Sequence, residues 1–298
     1  MRSLTGAYIK NGKEVKYSFQ VPSSWSELNG HQYAAIITVL NYTKADRFVI
    51  ATSLLALLFG KENFHVLEHM IPTVSPKNMS LLDDEDLAND YRDELIALAN
   101  FLFEEPPAQN FLPKLKIRKV PCLAPADNLS NLSFGEWCFA FQYYTNYRIT
   151  QDLSWLDKMI ACLYRPADPA QDPTSVNYKG DLREVFNENL ITKRAKDVAA
   201  IESRFKLAVW AWFTAAVNQV MAMRPNVFPK TPDTVDEDQE EQAAYHSDQR
   251  TWLSVFRELL GPKWGTTEQL KHTNAMFVLD AMEEQQIAYK ESGQNTPA

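Results

Sequence analysis

Five prolines between residues 106 and 125 (Pro106, Pro107, Pro113, Pro121 and Pro125) divide this chain. Each removes an amide donor and crowds the preceding turn, so no helix runs through the stretch. On both sides apolar residues recur at helical spacing. The pattern predicts an N-terminal domain over 1–104, a proline-rich linker over 105–128 and a C-terminal domain over 129–298. With 298 residues, 45% of them hydrophobic and 23% charged, the chain can bury a core without disulfides or metals. The predicted class is mainly α, with a β-hairpin packed on helices at the N-terminus and a larger helical domain after it.

The hairpin is announced by Asn11-Gly12, a dipeptide suited to a type I′ turn, between Ala7–Lys10 and Glu14–Phe19. Tyr17, Phe19 and Val21 alternate with polar residues, giving one apolar strand face, and Pro22 stops the strand. Helices are expected over 31–40 and over 46–59, the second ending at Gly60 with a C-terminal cap, then over 62–70 and 84–103. Asp83, Asp84, Glu85 and Asp86 crowd the first turn of the last, where negative charge suits the helix dipole. Within the linker, Lys114 to Val120 alternates basic and apolar residues as a strand does.

After the linker, Ser133-Phe134-Gly135-Glu136 fits a capping box, with the Glu136 carboxylate returning to the helix's first amides. Helices are expected over 134–147 and 152–164, a short one over 181–186, a long one over 193–223, and two more over 247–260 and 267–289. Lys230 to Asp248 is an acidic loop with seven Asp or Glu against one Lys.

The net charge of -8 argues against nucleic acid as a partner. Cys122, Cys138 and Cys162 are odd in number and form no C-x-x-C, as expected of free thiols in a reducing cytoplasm. The polar N-terminus lacks the apolar run of a signal peptide. Leu207–Met223 is uncharged but short and carries Asn218 and Gln219, which favours a buried helix over a membrane span.

Few residues point to chemistry. His65-Val66-Leu67-Glu68-His69 matches H-x-x-E-H, in which two histidines on one helical face bind zinc and the glutamate acts as general base. A third ligand would come from Glu85, Asp86 or Glu94, which makes a zinc-dependent hydrolase one alternative. The ordinary reading is a short surface helix carrying two incidental histidines. No G-x-S-x-G elbow, P-loop or G-x-G-x-x-G occurs, so no cofactor is expected and an enzyme is disfavoured. The basic cluster Lys114, Lys116, Arg118 and Lys119 reads as a solvated strand edge. The acidic run Asp236–Glu241 offers a second alternative, an adaptor whose loop docks a basic protein.

Two phrases resemble tailed-phage and prophage structural proteins. One is Phe19-Gln20-Val21-Pro22-Ser23-Ser24-Trp25-Ser26-Glu27-Leu28 with Gln32-Tyr33. The other is Asn131-Leu132-Ser133-Phe134-Gly135-Glu136-Trp137 with Leu156–Pro166 ending Leu163-Tyr164-Arg165-Pro166. The resemblance implies a non-enzymatic role, as a tail-assembly chaperone or virion component in the host cytoplasm or the particle. Its partners would be other phage structural or tail proteins, with self-association open and no membrane involved. The expected contact residues are Trp25, Phe134, Trp137, Phe141 and Tyr144.

Overall fold

A computed structural model describes residues 1–70, 93–175, 178, 180–229 and 251–293. The acidic cluster at 83–86 and the loop at 230–248 therefore lie outside the described residues. The fold is mainly α, as expected, with one two-stranded and one three-stranded sheet among the described residues. The chain divides into two compact units, Met1–Pro107 with Ser203–Trp212, and Ala108–Glu202 with Phe213–Ala298.

In the first unit, β1 (Arg2–Lys10) pairs antiparallel with β2 (Lys13–Val21). Asn11 and Gly12 both take positive φ, 52° and 74°, which matches the twist a two-residue hairpin needs. Leu4, Gly6 and Tyr8 oppose Phe19, Tyr17 and Val15, so the inward side chains share one face. At Gly6 a Cβ would stand 2.4 Å from the Tyr17 hydroxyl oxygen, so the tyrosine ring folds over a position that only glycine leaves open. The hairpin packs on helix α2 (Arg47–Met70) through an edge-on Phe19–Phe59 contact at 5.2 Å.

Helix α1 (Gly30–Tyr42) begins with a capping box: the Asn29 side chain accepts from the amides of His31 and Gln32, and Gln32 returns a carbonyl oxygen to the Asn29 amide. Gly60 (φ 70°, ψ 174°) interrupts α2, so the two helices expected on either side of it meet directly at a kink.

In the second unit the supposed linker is a packed element. β3 (Lys114–Ile117), β4 (Val120–Leu123) and β5 (Arg165–Pro166) form a three-stranded antiparallel sheet. Phe111, Leu112, Leu115 and Ile117 are buried. The Tyr164 hydroxyl donates to the Leu112 carbonyl at 2.8 Å and accepts from the Asn110 amide group at 3.2 Å. Prolines exclude a helix, but they do not exclude packing.

Helices α3 (Phe134–Thr150) and α4 (Leu153–Leu163) pack together, capped by Ser133 and Asp152. The helix expected over 181–186 does not form: the segment is held beside residues 166–168 by an isolated bridge between Ala167 and Arg183, and the Asp181 carboxylate accepts the Arg183 amide at 2.9 Å. The long helix expected from 193 is broken into α5 (Ile191–Val198) and α6 (Ser203–Ala222) by Glu202, which is extended. The break lets α5 bury Ile191, Ala195 and Val198 against α4. Helices α7 (Trp252–Leu259), α8 (Thr267–His272) and α9 (Ala275–Glu291) follow, the last two separated where Asn274 caps α9. Among the described residues no helix is long and apolar enough to cross a membrane.

The chain leaving α6 is tied to α9. Arg224 pairs with Asp280 at 2.7 Å, and the Val227 amide donates to the Glu283 carboxylate at 2.8 Å. Burial pushes the Glu283 carboxyl up, but donation from the Asn226 side chain and the amides of Val227 and Asn226 outweighs it and holds the carboxyl below the usual glutamate range. A lowered folded pKa gives stability that is complete above the unfolded pKa, near 4.3 for a free glutamate, and that is lost as pH falls through the folded value. Glu283→Gln is expected to lower Tm at neutral pH and to match the parent protein in strong acid. Thermal melts across that range check it, and an equal difference at both ends would contradict it.

Candidate functional site

Four charged side chains of the second unit, Glu136, Arg165, Asp181 and Arg183, converge on one buried centre. Glu136 sits in the first turn of α3, on its inward face, and the residue is fully buried. Arg165 follows α4 directly. The amide of Asp168 donates to the Leu182 carbonyl at 2.8 Å and that of Glu184 to the Pro166 carbonyl at 2.9 Å, which sets the Asp181–Arg183 segment alongside Arg165.

Arg183 uses its whole guanidinium. Nη1 donates to Glu136 Oε1 and to the Leu163 carbonyl, each at 2.7 Å, Nη2 donates to Asp181 Oδ2 at 2.9 Å, and Nε donates to Asp181 Oδ1 at 2.9 Å. Arg165 donates through Nη2 to Glu136 Oε2 at 3.0 Å and to Asp181 Oδ2 at 3.2 Å. Two guanidinium and two carboxylate groups therefore neutralise one another. Burial lowers the Arg165 pKa, whereas at Arg183 the same penalty is outweighed by Glu136 and Asp181, and its pKa is raised. The Cys162 thiol sits beneath, its Sγ 3.6 Å from the Glu136 carbonyl oxygen, and burial first and then Glu136 push its pKa far up, away from a nucleophile's range.

Glu136 thus departs from the expected capping box. Ser133 Oγ does accept the Glu136 amide at 3.3 Å, but the carboxylate turns inward to the arginines. The start of α3 is tied instead to the α8–α9 junction: the Phe134 amide donates to the Thr273 carbonyl at 2.7 Å and the Ala275 amide to the Leu132 carbonyl at 2.8 Å. A cavity of about 610 Å³ opens here, walled by the charge centre together with Asn131, Ser133, Phe186, His272 and Asn274.

The other expected residues fall elsewhere. Trp25, Phe134, Trp137 and Tyr144 are buried and Phe141 is half-buried, so these aromatics pack the interior instead of presenting a contact surface. Their spacing marks a helix face and does not say what covers it. Trp25 meets Tyr33 edge-on at 5.8 Å, and Phe134, Trp137 and Phe141 surround Trp252 within 6.2 Å. His69 stacks on Tyr8 at 4.2 Å, with the His65 ring 6.3 Å from the same tyrosine. Among the described residues no group of three His, Cys, Asp or Glu side chains is placed to hold a metal. Glu94 is exposed, and Glu85 and Asp86 lie outside the described residues.

Lys114, Lys116, Arg118 and Lys119 are exposed along β3 and its turn, with Arg118 paired to Asp197 at 2.9 Å. The residues that sequence reasoning missed are Arg165, Asp181 and Arg183. Their one local signal was an arginine directly after the apolar stretch of α4. No protein-family model matches the chain, and no curated protein or solved structure is significantly similar to it.

Proposed function

We propose that the protein is a non-enzymatic component of tailed-phage or prophage assembly that works through protein–protein contacts. The resemblance of the 19–33 and 131–166 phrases motivates the reading. The observation that carries it is an exposed apolar side chain in the cavity wall of the second unit, Val185, with a second one, Phe277, exposed in the first turn of α9. Val185, 63% exposed, is in the cavity wall, and Phe277, 62% exposed, has its amide bonded to the Asn274 side chain of that wall. A large apolar side chain left in water at the wall of a concavity is where a protein partner would gain apolar burial. In this reading the contact falls to Val185 and Phe277, since the aromatics named from the sequence are buried or half-buried. A tagged protein in an induced, phage-producing lysate is expected to recover tail-tube or tape-measure proteins, and the Val185→Asp/Phe277→Asp variant to lose them. Recovery of the bait alone would reject the reading.

A further inference from the structure

We propose that the cavity at the start of α3 binds a monocarboxylate with an apolar body, anchored by Arg165. The inference is independent of the assembly reading. Its starting point is an imbalance of donors. All the nitrogens of Arg183 donate, and every oxygen of Glu136 and Asp181 already accepts. Arg165 donates only through Nη2. Its Nε and Nη1 have no partner among the described residues; Nε is fully covered, so Nη1 is the donor a ligand can reach. A buried N–H left unmatched costs about 1–3 kcal/mol, and more on a charged group. The centre therefore has a donor to spare at Nη1, and the cavity that Arg165 helps to wall is where its acceptor would be supplied.

The charge of the ligand follows from the same residues. The two arginines and two carboxylates sum to zero, and the α3 N-terminus, with Leu132 and Ser133 in the wall, adds a partial positive charge. One negative charge is matched by that field. A phosphate dianion would bring a second charge beside Glu136 and Asp181, which repel it. A planar carboxylate also suits a guanidinium. The apolar part is set by Phe186, over which the Arg165 guanidinium lies at 5.9 Å, and by exposed Val185. The cavity of about 610 Å³ is of a size that holds small organic ligands. A free organic acid and the C-terminal end of a polypeptide share this chemistry.

Calorimetry on the full chain tests it with four probes: benzoate, an N-acetylated tripeptide ending in phenylalanine with a free carboxylate, its amidated twin, and inorganic phosphate. Both carboxylates are expected to bind saturably. The amide and phosphate should bind at least about tenfold more weakly, and Arg165→Gln should cost at least about tenfold, as loss of one charge-assisted hydrogen bond implies. A tripeptide tighter than benzoate supports a chain terminus, and equal affinity supports a free acid. Arg165→Gln touches a buried ion centre and is checked by its melting curve. Val185→Glu, at an exposed position, keeps the fold and sets a repelling carboxylate on the rim, so benzoate binding should weaken. No saturable binding of either carboxylate, equal binding of phosphate or of the amide, or unchanged affinity in a folded Arg165→Gln or Val185→Glu protein would overturn the proposal.

Discussion

Replacing Glu136 by alanine is expected to lower the free energy of unfolding by about 3–5 kcal/mol, the range for breaking a buried ion pair from one side. The substitution leaves Arg165 and Arg183 charged in an interior where both are almost fully covered, with only Asp181 to answer them. The loss of attraction is the smaller part of the effect. The larger part is the cost of holding two guanidinium groups away from water without a counter-charge. Urea denaturation at neutral pH measures it, with Glu268→Ala as comparison: Glu268 pairs with Lys271 at 2.8 Å but its side chain is 69% exposed, so its removal should change little. A small loss at Glu136 would mean that water reaches the arginines through the cavity and that the centre is solvated.

That centre shows which information the sequence carries locally. The hairpin was legible because Asn11-Gly12 states its own turn, and α3 and α4 because Ser133 and Asp152 cap them from adjacent positions. The same local logic misassigned Glu136. A carboxylate three residues after a serine satisfies the pattern of a capping box, yet its partners lie 29 and 47 residues along the chain. Asp181 misled in a similar way: its bond to the amide two residues on is the one Asp152 makes at the start of α4, but its carboxylate is also held by the Arg165 and Arg183 guanidinium groups. The prolines of 106–125 set the backbone shape correctly but said nothing of Phe111, Leu115 and Ile117, which are buried and, with the rest of the stretch from Ala108 on, belong to the second unit. Glu136 and Arg165, both in the second of the two phrases, are the two sides of one buried pair, 3.0 Å apart.

Trp137 makes the opposite prediction to the one its sequence context suggests. Next to Glu136 but about 100° further around α3, it faces a different centre, with Phe141, Trp252 and Phe228 around it at 5.5, 5.9 and 6.5 Å. Were it a contact residue on the surface, Trp137→Ala would weaken partner binding and leave the fold intact. Fully buried, it should instead cost about 3–5 kcal/mol of stability, through lost apolar burial and the cavity left behind. The near-ultraviolet circular dichroism should fall at the same time, because Trp252 of α7 loses one of the rings packed around it. Trp137→Phe separates the two contributions. It retains most of the apolar volume and removes an indole N–H that is buried without a partner among the described residues, so its cost should stay below about 1.5 kcal/mol. Urea titrations of the two variants decide the matter. A stable Trp137→Ala protein would mean that this ring is not held inside the second unit, and the aromatic face of α3 would again be open to a partner.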